Sequence, residues 1–260
     1  MPAVSTISFD KAMLMLPLGL ARITPVLMFL PMLGEKTLGR GMLRAAFMAL
    51  LCLGLLPVFT RPDLDLQALY LPAALFKEAL IGLIIGLALA APYYAATTMG
   101  DLLDNQRGAT IAQSIDPTAG IETSLLGSFM GFLWAVLFFS GGGLPWILTT
   151  LSQSYRHIPL DGVLALDMPT VLALAKMLGQ AVQAGIVAAA PAVAVLLLMD
   201  IGLGILSRFA AQLNPFSLAL TVKSLAAVMV LLLYVSSGTF NTMNQLLHAW
   251  PLERLLPASP

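Results

Sequence analysis

The chain has 260 residues, of which 59% are hydrophobic and only 10% charged, with thirteen basic and thirteen acidic side chains giving a formal net charge of zero. Soluble domains are about 45–50% apolar and about 25% charged, so this composition excludes a water-exposed globule and points to an integral membrane protein. It also excludes a nucleic-acid binder, because there is no basic stripe to meet phosphates. A single cysteine, Cys52, excludes an internal disulfide framework, and His157 and His248 lack metal-ligand spacing, so no metal or other cofactor is expected.

The charges act as punctuation. The first nine residues carry no Lys or Arg, so a cleavable signal peptide is not expected. Between Lys11 and Glu35 the only charge is Arg22, and Pro17, Pro25 and Pro31 are expected to interrupt this first apolar run. The stretch Arg44–Arg61 is marginal for a span and is expected to close at Pro57. Glu78–Asp101 bounds the third apolar run. Glu122–Arg156 exceeds one span, and Gly141-Gly142-Gly143 with Pro145 predicts a helix to about Ser140, a turn and a partly amphipathic segment. Lys176–Asp200 and Lys223–Glu253 complete the series. A spanning helix needs about 20 apolar residues, and continuous rather than alternating runs favour helices over a β-barrel. The expected fold is therefore an all-α membrane protein of about six apolar helices, forming a single integral-membrane domain over residues 1–260. Gly82 with Gly86, and Gly127 with Gly131, are small-xxx-small pairs suited to close helix contacts. Lys36, Arg40 and Arg44 form the clearest basic loop; were it cytoplasmic, the N-terminus would lie outside, but the other loops do not decide the topology.

Two polar patches stand out. The first holds Asp101, Asp104, Asn105, Gln106, Arg107 and Gly108, then Asp116, Pro117, Gly120 and Glu122. Pro117 and Gly120 favour turns, and Asp104 and Arg107 can share a helix face. This patch reads either as an ordinary polar loop or as a re-entrant loop inside a pore. Irregular backbone is tolerated at membrane depth only where protein or water surrounds it. The second patch holds Asp200, Arg208, Gln212, Asn214 and Lys223. Asp200 and Arg208 lie two turns apart, roughly 12 Å along a helix, so each should meet a partner elsewhere. These charges sit either at the water interface or against other subunits, and Arg22 in the first run poses the same question.

Catalytic patterns are incomplete. Val235-Ser236-Ser237-Gly238 lacks the leading Gly of an intramembrane serine protease, and Thr98-Met99-Gly100-Asp101 lacks the first Gly of an aspartyl one. Asp101 and Asp200 could form an acid dyad only by accident of folding. No enzyme is expected. A small stand-alone secondary transporter fits the broken helices and isolated charges better, although no related halves are visible.

The polar patches also carry a resemblance. Asp104-Asn105-Gln106-Arg107-Gly108-Ala109-Thr110, Ser114-Ile115-Asp116-Pro117, Gly120-Ile121-Glu122-Thr123-Ser124, Leu206-Ser207-Arg208-Phe209-Ala210 and Leu220-Thr221-Val222-Lys223-Ser224 resemble the SctT family of type III secretion, related to flagellar FliR. Arg22-Ile23-Thr24-Pro25, Leu30-Pro31 and Glu78-Ala79 before Gly82 fit the same pattern, so the likeness runs from about Leu16 to Tyr234. One departure is Ala211, where the family pattern has Pro, which implies a milder kink. The resemblance implies a non-catalytic subunit of the bacterial inner-membrane export gate. It would assemble with SctR and SctS, beside SctU and the export-gate component SctV, and conduct unfolded secreted proteins. Its helices would form tilted hairpins. It further implies pore or plug roles for Asp104, Asn105, Gln106, Arg107, Gly108, Asp116, Pro117, Gly120 and Glu122. Arg22, Glu78, Asp200, Arg208, Gln212, Asn214 and Lys223 would face neighbouring subunits.

Overall fold

The computed structural model describes residues 9–34, 39, 41–59, 70–108, 124–160, 168–209 and 215–236. Among them are α1 (Phe9–Phe29), a 3₁₀ turn (Pro31–Leu33), α2 (Met42–Phe59), α3 (Leu71–Arg107), α4 (Leu125–Ser140), α5 (Gly143–His157), α6 (Met168–Phe209) and α7 (Pro215–Ser236), with no strand among the described residues. The fold is all-α, and the six apolar runs become these helices once α4 and α5 are taken as one broken span.

The described helices fall into two compact units. The first draws on residues up to Ala90 and on Phe138–Leu178; the second on Ala91–Leu137 and on residues from Gly179 to Trp250. In the first unit α2 packs against both α1 and α5. Helix α1 passes through Pro17 and Pro25 without a break, contrary to the sequence expectation. Tertiary packing holds the helix there, with Ile23, Val26 and Leu27 fully buried on either side of Pro25. Pro31 does end the run: it forces Leu30 into extended backbone (φ −85°, ψ 98°) before the 3₁₀ turn. Likewise α2 continues to Phe59, two residues beyond Pro57. Pro57 has no N–H for the Leu53 carbonyl, so the ladder loses one bond there and the helix stops two residues later.

Glycine sets the closest approaches in both units. A Cβ on Gly82 would overlap the backbone of Arg22, and one on Gly86 would lie 3.0 Å from the Pro25 carbonyl oxygen, so α1 and α3 touch backbone to backbone. In the second unit Gly100 faces Leu126 and Gly127 of α4, Gly131 faces the Tyr93 ring, and Gly185 of α6 faces Ala95 and Thr98. Both small-residue pairs noted in the sequence are thus used inside the chain.

The break between α4 and α5 is a 74° bend. Gly142 caps α5 at φ +83°, a conformation that side chains other than glycine rarely adopt. Helix α5 buries Ile147, Thr150, Leu151, Ser154 and Tyr155, at three- and four-residue intervals on one face. Among the described residues two helices are long and apolar enough to cross a membrane, Leu71–Arg107 and Val171–Phe209, or three spans if the bent pair counts as one.

Candidate functional site

In the second unit the polar residues converge where α3 ends. The chain leaves α3 through Gly108 at φ +84°, and the Gly108 N–H bonds the Asn105 carbonyl at 3.1 Å. One turn earlier, Asp104 is almost wholly buried. Its Oδ1 accepts from Arg107 Nε at 2.7 Å. Its Oδ2 accepts from the Ser124 hydroxyl at 2.7 Å and from the Leu126 N–H at 2.9 Å. Ser124 Oγ in turn accepts from the Gly127 N–H at 2.8 Å, capping α4. A carboxylate at a helix N-terminus also meets the positive end of its dipole. One side chain therefore ties the end of α3 to the start of α4, and with it both ends of the segment 109–123.

The same cluster reaches α6 and α7. Lys223 Nζ lies 2.7 Å from Asp200 Oδ1 and bonds Oδ2 at 2.9 Å. Gln106 donates to Asp200 Oδ2 at 3.3 Å, and Arg107 Nη1 donates to Ser224 Oγ at 3.4 Å. The partners expected for Asp200 from its spacing are thus Lys223 and Gln106. The Asp200 side chain is 41% exposed and Lys223 only 10%, so the pair opens to the outside on the carboxylate side.

The first unit holds a second, drier cluster. Arg22 and Glu78 are both fully buried and pair at 2.6 Å. Arg22 also donates to Ser154 Oγ at 3.0 Å and to the Ile158 carbonyl at 2.9 Å, with its guanidinium 4.0 Å from the centre of the Tyr155 ring. Lys77 lies 3.1 Å from Glu78 and donates to the carbonyls of Pro159 and Leu160. Two cations thus gather the carbonyls beyond the C-terminus of α5, where the helix dipole favours positive charge.

Of the residues singled out in the sequence, Asp104, Gln106, Arg107, Asp200 and Lys223 come together in the second unit. Asn105 is exposed beside them. Arg22 and Glu78, expected to face neighbouring subunits, are covered by this chain itself. Arg208 is exposed near the end of α6. Asp116, Pro117, Gly120, Glu122, Ala211, Gln212 and Asn214 lie outside the described residues. Sequence reasoning did not single out Ser154, Tyr155 and Lys77. The signal was a polar pair on the buried face of α5, and a lysine next to an acid in an otherwise apolar run.

The chemistry is that of fastening. Among the described residues, both clusters join charges to opposite charges, hydroxyls and carbonyls, and no group of His, Cys, Asp and Glu could hold a metal ion.

Comparison with known proteins gives one consistent result. A family profile described as bacterial export proteins, family 1, matches residues 13–249. The chain is 37% identical over 219 residues to the surface presentation of antigens protein SpaR of Salmonella typhimurium, covering 84% of this chain and 82% of that protein. It is 30% identical over 251 residues to the Yop proteins translocation protein T of Yersinia pestis, covering 95% and 96%. It is 24% identical over 243 residues to the flagellar biosynthetic protein FliR of Escherichia coli, covering 90% and 92%.

Proposed function

The chain belongs to the bacterial export proteins, family 1, and from that premise we propose that it is a core subunit of a type III secretion export gate. It is a multi-pass protein of the bacterial inner membrane. The whole chain, residues 1–260, works as one integral-membrane domain. It acts as a conduit and seal for unfolded protein substrates and carries out no catalytic step. Its partners are subunits of the SctR and SctS types, with SctU and SctV types beside them.

The observation that carries the sealing role is the Asp104 carboxylate. A segment of fifteen residues, 109–123, leaves and re-enters the helices through one buried side chain. A segment fastened at both flanks can stand across a pore without being swept along it. Asp116, Pro117, Gly120 and Glu122 belong to that loop and are proposed as part of the plug. Arg208, exposed near the end of α6, is proposed to meet a neighbouring subunit, with Gln212 and Asn214 following it. Solubilisation in mild detergent tests the assembly: the subunit should co-purify with two small hydrophobic partners, and a monomer that binds a small solute would overturn the proposal. Deleting Gln113–Thr118 should leave assembly intact and make resting membranes leak small ions. Unchanged leakage would remove the loop from the seal.

A further inference from the structure

The second half of α3 exposes a chemistry opposite to that of its neighbours. Between Tyr93 and Arg107 every accessible side chain carries a polar group except Leu102. Tyr94, Asp101 and Asn105 are exposed and Thr98 is half-buried. Their spacing of four, three and four residues puts them on one helix face, along roughly 16 Å. The side chains buried between them are Ala95, Ala96, Met99 and Leu103. The helix is thus inside-out relative to one that faces lipid.

The adjoining helices are not. Gly131 of α4 faces the Tyr93 ring, and its neighbours Phe129 and Phe132 are 47% and 72% exposed. Gly185 of α6 faces Thr98, and Ile186 and Val187 beside it are 50% and 62% exposed. Along the same stretch of α3, the two helices that touch it therefore show phenyl and aliphatic groups, while α3 itself shows hydroxyls, an acid and an amide. A single medium cannot suit both. Were this level immersed in lipid all round, Asp101 alone would cost roughly 2.5–3.5 kcal/mol. Were it immersed in water all round, the phenylalanines would lie bare.

We propose that the face Tyr94–Thr98–Asp101–Asn105 is a wetted wall of the export path, and that the unfolded polypeptide moves along it; this rests on the export-gate function above. Hydroxyl and amide groups offer donors and acceptors to any peptide backbone, and a path must bind its cargo weakly enough to release it. The wall extends the polar surface upstream of Asp104, beyond the residues of the loop.

Because Cys52 is the only cysteine and is buried, a Cys52→Ala background makes the wall addressable. Tyr94→Cys, Thr98→Cys, Asp101→Cys and Asn105→Cys would be compared with Phe132→Cys and Ile186→Cys in membranes of secreting cells. The probe is a membrane-impermeant sulfonated maleimide. Labelling on the wall should be about tenfold faster or more, since thiols in apolar surroundings form little thiolate. It should slow when an exported polypeptide fused to a tightly folded domain is stalled in the gate. Wall positions that label as slowly as Phe132→Cys overturn the proposal, and so does labelling that ignores the stalled polypeptide. Secretion and co-purification are followed in the same strains. Variants that secrete and assemble but fail to label refute the wall alone, whereas loss of the partners in the Cys52→Ala parent refutes the export-gate function instead.

Discussion

The Arg22–Glu78 pair gives an unequal expectation for its two partners. Glu78 faces two cations, Arg22 at 2.6 Å and Lys77 at 3.1 Å, and is itself fully buried. Glu78→Leu would leave the buried guanidinium with two neutral acceptors, Ser154 and the Ile158 carbonyl, and no counter-charge. Breaking a buried ion pair from one side typically costs about 3–5 kcal/mol. Arg22→Met, by contrast, leaves Glu78 still paired with Lys77. What it loses is the satisfaction of two acceptors, about 1–3 kcal/mol. The double variant removes the pair without leaving a buried guanidinium uncompensated, but it strands the same two acceptors as Arg22→Met and leaves the part-exposed Lys77 without Glu78, so it should cost at least as much as Arg22→Met and less than Glu78→Leu. The order of stability should therefore be wild type, then Arg22→Met, then the double variant, with Glu78→Leu lowest. Unfolding of the purified subunit in mild detergent, titrated with a denaturing detergent and followed by tryptophan fluorescence, measures that order. A double variant as unstable as the sum of the singles would refute the reasoning, as would an Arg22→Met that costs more than Glu78→Leu.

Glycine substitutions should split by sign. Gly82→Ala drives a methyl into the Arg22 backbone and should cost about 1–3 kcal/mol; Gly54→Ala in α2 meets nothing within 4 Å and should add roughly 0.5–1 kcal/mol, both read in the same unfolding titration. Asp104→Ala strands the Leu126 N–H and the Ser124 hydroxyl and should cost about 1–3 kcal/mol. Asp104→Asn keeps an acceptor and should cost less; amide hydrogen exchange at Leu126 should rise in the first variant far more than in the second. Arg208→Ala should weaken co-purification of partner subunits while membrane insertion, scored by carbonate extraction, stays unchanged.

The break at Gly141–Gly142 was legible because three glycines and Pro145 leave a helix no local way through. The lengths of α3 and α6 were not. Charges served as boundary marks, yet α3 begins at Leu71 and runs on through Lys77 and Glu78, and α6 passes Lys176 and Asp200 on its way to Phe209. Lys, Glu and Arg are good helix formers, so a charge marks where an apolar run stops and not where the helix stops. The contact between Asp104 and Arg107 could be read from spacing, because three residues on a helix fix a distance. The tie from Asp104 to Ser124 could not, since nothing local determines where a chain returns after fifteen residues. Arg22 is the extreme case: its partners stand 56, 132 and 136 positions away, so the sequence posed the question of a lone cation but held no local clue to the answer.

Those long separations also explain why so few charges are placed as they are. Lipid tails are as apolar as leucine side chains, so burial alone hardly drives one membrane helix against another. Close contact must come from shape, and register from polar groups that fit at one position only. The first unit has both: Gly82 and Gly86 let α1 and α3 meet, and Arg22 with Glu78 fixes which turn meets which. The second repeats the scheme, with Gly100, Gly127 and Gly131 for contact, and Asp104 with Ser124, and Asp200 with Lys223, for register. A slip of one turn in either unit would leave glycine against a bulky side chain and strand a buried charge. The two penalties act together, and this makes a fold of interchangeable apolar helices specific. The pairs differ in one respect. Arg22 and Glu78 are sealed, whereas the Asp200 side chain is 41% exposed, so the second unit leaves part of its register-setting chemistry open at the surface of this chain.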